Sequence, residues 1–282
     1  MKTFEDKVAA ITGAGSGIGR ALAIDLAGRG CNLALSDVNK DGLAQTVELA
    51  QKAGPPVRIT SQKLDVSDRA AVHAWADQVV ADHGRANLIF NNAGVAHGST
   101  IEAAAYEDFE WIMNINFWGV VHGTKAFLPH LRAAGDGHVI NISSVFGIIG
   151  VPTQGTYNAT KFAVRGFTEA LRQELDIQGG AVSATSVHPG GIKTNIANAA
   201  RYDKSASEIT GQSQEVSKKN FEKLFRTTPE EAARTILRGV EKNSRRVLIG
   251  ADARVIDVMQ RMLPSGYQAI LGGLAKRQKQ RA

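Results

Sequence analysis

The sequence holds a single cysteine, Cys31, among its 282 residues. That excludes an internal disulfide framework and leaves core packing, at the start of an expected strand, as the thiol's role. No apolar run approaches the length of a membrane span. The histidines are scattered, with no Cys/His cluster at metal-ligand spacing, so no metal site is expected. The amino terminus, Met1-Lys-Thr-Phe-Glu-Asp-Lys7, lacks a signal-peptide layout, and a cytoplasmic protein is expected. Acids are missing from the last stretch, Lys276-Arg-Gln-Lys-Gln-Arg-Ala282, which carries four of the six excess positive charges. The body is therefore only mildly basic. The tail reads as a solvated, disordered end, with no nucleic-acid partner and no integral membrane association expected.

What the chain does have is glycine, placed where strands turn into helices. Lys7-Val-Ala-Ala-Ile-Thr12 reads as a strand, followed by Gly13-Ala-Gly-Ser16-Gly17-Ile18-Gly19 and a helix from Arg20 to Arg29. Such a turn lets backbone N–H groups approach a pyrophosphate at the positive end of a helix. The next strand, Cys31 to Ser36, ends at Asp37, about 20 residues past the turn, where a dinucleotide site wants an acid for the adenosine ribose. A carboxylate there also repels a 2′-phosphate, which favours NAD over NADP.

Strand and helix keep alternating. Val57–Leu64 is a strand ending at Asp65-Val66, with Ser67 placed to cap a helix from Asp68 to His83. Asn87–Phe90 ends in Asn91-Asn92-Ala93-Gly94, and one long amphipathic helix is expected from about Tyr106 to Arg132. Further strands are expected at His138–Ile142, Ala181–Val187 and Arg246–Ile249, the last after a helix opened by Pro229. This alternation predicts an α/β fold, a doubly wound parallel sheet of Rossmann-like type with helices on both faces, as a single domain. In such sheets ligands bind beyond the carboxyl ends of the strands. The glycine turn, Asp37, Asp65, the Asn-Asn-Ala-Gly turn, Ser144 and Pro189-Gly190 all fall at such ends.

Tyr157 and Lys161 lie four apart, so on a helix they share one face. A nearby ammonium is expected to lower the phenol's pKa and make it usable as an acid/base, with the Ser144 hydroxyl able to bond the same substrate oxygen.

These motifs, in this order, resemble the short-chain dehydrogenase/reductase family over roughly residues 7 to 250. Thr12-Gly-Ala-Gly-Ser-Gly-Ile-Gly19 is similar to its T-G-x-x-x-G-x-G turn and Asn91-Asn-Ala-Gly94 to its N-N-A-G element. Ser144, Tyr157 and Lys161 match its active-site spacing, and Pro189-Gly190 with Thr194 its P-G-x-x-x-T segment. The resemblance implies that Tyr157 is the general acid/base, that Lys161 lowers its pKa and binds the nicotinamide ribose, and that Ser144 holds the substrate oxygen. It implies that Asn116, in Ile115-Asn-Phe-Trp-Gly119, holds a water relaying protons to Lys161. It also implies cofactor contacts from the glycine turn, from Asp37, from Asp65 and Val66 at the adenine, from Asn92, Ala93 and Gly94, and from Pro189, Gly190, Ile192 and Thr194. Members preferring NADP often carry a basic residue where Ser16 or Asp37 stands here, so NAD is expected, with NADP the alternative.

In that family the substrate pocket is lined by the residues after the serine and the loop after the Pro-Gly turn. Val145-Phe146-Gly-Ile-Ile-Gly-Val151-Pro152 is apolar, and the longer segment, about 195–226, is expected to form a lid with Phe221, Leu224 and Phe225 on one helical face. Val95, Phe146, Val151, Gln154, Gly191 and Phe221 are the expected pocket residues. No residue stands out as an anchor for a carboxylate or phosphate, so a small hydrophobic secondary alcohol or ketone is the expected substrate. Residues 1–250 form the expected catalytic domain. Residues 251–282 form a C-terminal extension expected to pack on the body or on a partner subunit, with a membrane surface as the lesser reading. A homodimer or homotetramer is expected by analogy alone.

Overall fold

The computed structural model describes residues 1–196, 199–211, 216 and 226–280. Its first half runs β1 (Val8–Thr12), α1 (Gly17–Gly28), β2 (Asn32–Asp37), α2 (Lys40–Gln51), β3 (Ile59–Lys63), α3 (Arg69–His83) and β4 (Leu88–Asn91). A two-residue strand, β5 (His97–Gly98), precedes α4 (Tyr106–Met113), a π-helical turn (Asn114–Trp118) and α5 (Gly119–Ala133). Then come β6 (Gly137–Ile142), α6 (Gly155–Gln178), β7 (Val182–Pro189), β8 (Arg201–Tyr202), α7 (Lys204–Thr210), α8 (Pro229–Glu241) and β9 (Arg246–Ile249). Two helices, α9 (Ala251–Met262) and α10 (Gly266–Lys279), follow the last strand.

Because helices connect most of the strands, those strands pair parallel. Seven of them form one sheet in the order β3-β2-β1-β4-β6-β7-β9. Alternate residues of each strand face opposite sides. Ile11, Leu33, Leu35 and Phe90 pack under Leu22 and Leu26 of α1 and Ile236 and Leu237 of α8. Ala10, Ile89 and Val139 meet Trp75 of α3, Phe127 and Leu131 of α5 and Leu175 of α6 on the other side. Each large side chain so buried contributes roughly 1.5–3 kcal/mol, and the edge-to-face Trp75–Phe127 pair, 5.2 Å between centroids, adds to that. A buried polar chain ties the middle of the sheet together: Asn91 donates to Asn141 at 2.8 Å and Asn141 to Thr168 at 2.9 Å.

Strand order reverses beside β1, with β2 on one side and β4 on the other. At that point the Thr12 hydroxyl donates to the Phe90 carbonyl and accepts from the N–H groups of Asn92 and Ala93, at 3.0 and 3.1 Å. This clamp presses the glycine turn onto the end of β4. Gly13 sits at φ +64°, and a Cβ there would come within 2.8 Å of the Ala93 Cα.

Several expectations are corrected. α1 begins at Gly17, not Arg20, so the glycine turn itself opens the helix. Asp68, not Ser67, caps α3 by accepting from Ala71, while Ser67 turns back to Asp65 at 2.7 Å. From the position just before α3, the carboxylate reaches the third helical N–H. β3 is shorter than expected, beginning at Ile59. The single helix expected from Tyr106 to Arg132 is broken by the π turn. The basic tail, expected to be disordered, is helical through Lys279, where Lys276, Arg277 and Lys279 sit at the negative end of the helix. Phe221, Leu224 and Phe225 lie outside the described residues.

The clamp predicts an asymmetry between two left-handed glycines. Gly84 also has positive φ, +78°, but nothing within 4 Å of its Cβ direction. Gly84→Ala is expected to cost about 1 kcal/mol of backbone strain, whereas Gly13→Ala costs about 2–4 kcal/mol. Urea unfolding of the two variants measures the difference.

Candidate active site

The carboxyl ends of β1, β4, β6 and β7 converge above the sheet. Ser144 lies two residues past the end of β6, and its hydroxyl both accepts from Phe146 N–H at 3.1 Å and hydrogen-bonds the Tyr157 phenol. Tyr157 stands on the first turn of α6, edge-on to Phe146 with centroids 6.1 Å apart. Lys161, one turn later, is buried; its Nζ lies 5.6 Å from the Tyr157 ring centroid and donates to the Ile142 carbonyl at 3.0 Å. Helical spacing alone brings these two together, and β6 delivers the serine to them.

The expected direction of the tyrosine's pKa is corrected. Burial, only partly offset by the Ser144 hydrogen bond, pushes the phenol up to about 12. Burial of Lys161 moves its ammonium the other way, down to about 8. Both shifts have one origin: a low-dielectric site disfavours whichever form is charged. The ammonium is therefore the more acidic group of the two.

Asn116 lies within the π turn and is wholly buried. Its Oδ1 accepts from Val95 N–H at 2.8 Å, and its Nδ2 donates to the Val95 carbonyl at 2.9 Å and to Thr160 at 3.2 Å. Its side chain therefore fastens the loop after β4 to α6; no hydrogen bond joins it to Lys161. A wider helical turn presents that amide sideways, which a regular helix would not. Gly94 is hemmed in by both groups: an added Cβ would meet Asn116 Oδ1 at 3.2 Å and Lys161 Nζ at 3.5 Å.

The expected cofactor residues frame a cradle. Gly13 and Gly19 are packed so closely that a Cβ on Gly19 would lie 2.2 Å from the Gly13 carbonyl oxygen. Asn92 Nδ2 donates to the carbonyls of Thr12 and Gly13, at 2.9 and 3.1 Å. Ser16 precedes α1, and Ile18 lies in its first turn. Asp37 accepts from Gly15 N–H through Oδ2 and from Asn39 N–H through Oδ1, both at 2.8 Å, while Asn39 caps α2. Thr194 comes to Gly17, where a Cβ would meet its Cγ2 at 3.1 Å. Pro189 ends β7, Gly190 N–H donates to Ile249, and Ile192 bridges to Thr227. Asp65 is exposed at the end of β3; Val66 is buried against Gly119. The donor set and the glycine cradle fit a dinucleotide: free carboxylate lone pairs at the end of β2 suit ribose hydroxyls, and the start of α1 suits a pyrophosphate.

Of the expected pocket residues, Val95, Phe146, Val151 and Gln154 are partly buried, Phe146 alone being seen edge-on to Tyr157, and Gly191 donates to Asp252 at 2.6 Å. Sequence reading missed the residues that hold these segments. Asn158 binds the carbonyls of Phe146 and Ile149 and the N–H of Val151, at 2.7–3.0 Å. Its place one residue after Tyr157 is the only signal the sequence carries. Tyr267 accepts from Gly150 N–H at 3.0 Å across more than a hundred residues. On the other side, Arg201 pairs with Asp108 at 3.2 Å and stacks on Trp111, 3.7 Å from the ring centroid. His188 lies within 3.1 Å of the Ser144 carbonyl and 3.0 Å of the Ser186 hydroxyl.

Burial holds His188 down to about 4 and His138 down to about 3, so both are neutral in the folded chain. A neutral His188 can then donate from Nδ1 to the Ser144 carbonyl and accept at Nε2 from Ser186. The unfolded chain binds protons at histidine below about pH 6.5 while these two sites refuse them, so stability falls as pH falls. From about pH 7 to about pH 5.5 each is expected to cost about 1 kcal/mol, read from urea midpoints at the two values. His188→Gln is expected to shrink the loss by that amount; an unchanged loss contradicts it.

Comparison with known proteins places the chain. A short chain dehydrogenase family model matches residues 7–205. SadH of Mycobacterium tuberculosis (strain H37Rv) is 51% identical over 278 residues, covering 98% of both chains. A short-chain dehydrogenase/reductase from Burkholderia phymatum, solved in complex with NAD, superposes with TM-score 0.84 at 30% identity, covering 93% of this chain and 95% of that one. An alcohol dehydrogenase from Thermococcus sibiricus, complexed with 5-hydroxy-NADP, gives 0.70 at 28% identity, with coverage of 86% and 95%. The solved neighbours thus include holders of either nicotinamide cofactor. The chain belongs to the short-chain dehydrogenase/reductase family of oxidoreductases.

Proposed function

We propose that the chain interconverts a small hydrophobic secondary alcohol and its ketone, with NAD as the cofactor and Tyr157 as the general acid/base. The observation that carries this reading is the hydrogen-bonded Ser144–Tyr157 pair standing over buried Lys161. NAD, when bound, supplies the hydride acceptor; the protein supplies position and proton transfer. Gly13, Ser16, Gly17, Ile18 and Gly19 would hold its pyrophosphate, Asp37 its adenosine ribose, Asp65 and Val66 its adenine, and Asn92, Ala93, Gly94, Ile192 and Thr194 the nicotinamide half.

In the oxidising direction Ser144 donates to the substrate oxygen and orients it. Tyr157 removes the hydroxyl proton as the carbinol carbon loses its hydride, leaving the ketone. In the reducing direction the same phenol returns that proton. Since the ammonium is the more acidic group, the proton first released by the Tyr157–Lys161 pair comes off as pH rises through about 8. The neutral amine left by that loss can take up the phenol's proton as the phenol takes the substrate's, so the pair accepts one proton in all. Lys161 thus supplies the base-competent state at moderate pH.

Asp37 supports NAD. Its carboxylate would meet a 2′-phosphate with like charge, and the Arg20 guanidinium commits Nε to Thr46 and Nη2 to Gly15, Gly42 and Gln45. The apolar stretch around Ile148 and Ile149, with no cation beside Phe146 or Val151 in the sequence, supports a substrate without a carboxylate or phosphate. The extension after β9 packs on that stretch through Tyr267, which supports its role as part of the pocket wall. Exposed Trp118 and Phe162 on α4–α6 support a homo-oligomer through that face. No described helix is long and apolar enough to cross a membrane.

A panel of hydrophobic secondary alcohols, followed by reduced-nicotinamide absorbance with NAD or NADP, tests the reading. Turnover with NAD is expected, with Tyr157→Phe lowering kcat by about 10²–10⁴-fold, the range of general acid–base catalysis. Asp37→Ser is expected to raise KM for NAD and narrow the preference; turnover with NADP alone would sink the Asp37 assignment. The oxidation rate is expected to rise with pH and level off above about 8 in the native enzyme. In Lys161→Met it is expected to keep rising towards the phenol's own value, about 12. Identical profiles would remove Lys161 from proton transfer.

A further inference from the structure

The segment after β9 is a hairpin in chain order, two helices joined by a short turn, each with one face turned inward on its own part of the body. Ala253 and Asp257 of α9 are buried, and Ile256 and Met259 join Tyr267 against Ile148 and Ile149. At its far end α10 abuts the end of α7, where a Cβ on Gly211 would meet Lys279 at 3.3 Å. These contacts meet the expectation of packing on the body. They use only the inner faces.

The outer faces are apolar. Val255, Val258 and Met262, spaced to share one stripe of α9, are 66%, 59% and 76% exposed, and Leu263 beside them is 44% exposed. Ile270 and Leu274, one turn apart on α10, are 46% and 52% exposed. Six of the fifteen exposed large apolar side chains among the described residues thus lie in this hairpin, a concentration that calls for a partner. Its charge is equally one-sided. Arg254 and Arg261 are exposed on α9, and Lys276, Arg277 and Lys279 close α10. The hairpin's acids both face the body: Asp252 accepts from Gly191, and Asp257 pairs with Arg246 at 2.8 Å and Arg261 at 2.9 Å.

We propose that this hairpin docks the protein peripherally on an anionic lipid surface. An isologous contact with a second copy would set the same basic patch against itself. An anionic bilayer instead offers opposite charge to Arg254, Lys276, Arg277 and Lys279 and an apolar layer to Val255, Val258 and Met262. A nucleic acid supplies the charge but not the apolar layer. The inference stands apart from the proposed reaction and does not depend on it.

Co-sedimentation of the full chain with vesicles tests it, using phosphatidylcholine alone or mixed with phosphatidylglycerol, at low and high salt. Partition into the phosphatidylglycerol vesicles only, weakened by salt, is expected. Val258→Glu with Met262→Glu is expected to reduce it by at least about tenfold, since two apolar anchors are replaced by charges that the surface repels. Lys276→Glu with Arg277→Glu is expected to weaken it as well. Thermal unfolding and light scattering on the same variants report folding and solution mass. Absence of partition by the native protein overturns the proposal, as does partition unchanged by Val258→Glu/Met262→Glu. A native oligomer that falls apart in that variant, with no vesicle binding, assigns the face to a second copy instead.

Discussion

Lys161 is the constraint around which the site is arranged. Its ammonium is buried, and burying a charge costs several kcal/mol unless something nearby accepts its protons. The Ile142 carbonyl does so, which fixes the lysine against the end of β6. Its own carbonyl accepts from Ser143, so the same residue fastens α6 to that strand from the backbone side as well. Glycine is needed at one position against this post. A Cβ on Gly147 would meet the Lys161 carbonyl oxygen at 2.6 Å, and one on Gly94 would press on Asn116 Oδ1 at 3.2 Å. The loop after β6 therefore closes on the lysine because its glycine allows it. Ser144 is delivered to Tyr157 as a consequence.

The opposed shifts of phenol and ammonium follow from the same burial. A site that disfavours charge keeps the phenol protonated at neutral pH, ready to give its proton to a carbonyl oxygen. It also makes the ammonium the group that yields first as pH rises. On the proposed reading, one pair of side chains thereby serves both directions, with pH and cofactor ratio choosing between them. His188 adds a neutral donor to the Ser144 carbonyl from beneath, and the Thr12 clamp sets the glycine turn beside the same strand ends.

Much of this was legible in the sequence because it depends on short-range periodicity. Strand and helix alternation, the four-residue spacing of Tyr157 and Lys161 and the glycine turn are local patterns, and they placed the sheet and the meeting of Tyr157 with Lys161. What escaped were contacts between distant segments. Nothing local says that Tyr267 will bind Gly150, that Asp252 will hold the turn at Gly191, or that Arg201 will stack on Trp111. The π turn escaped for a related reason: residues 106–132 have helical periodicity throughout, and only the tertiary fit of Asn116 to Val95 and Thr160 favours the wider turn. The sign of the tyrosine's shift depended on burial, which spacing does not report.

The proposed chemistry turns on which of the two groups gives up the first proton, and an NMR titration of the native enzyme and Lys161→Met reads this without any substrate. Tyrosine labelled at Cζ and lysine labelled at Cε report the two ionisations separately. The account predicts that the native pair loses a proton near 8 while the variant's phenol stays protonated until near 12. A native pair in which neither signal moves below about pH 10 would contradict it.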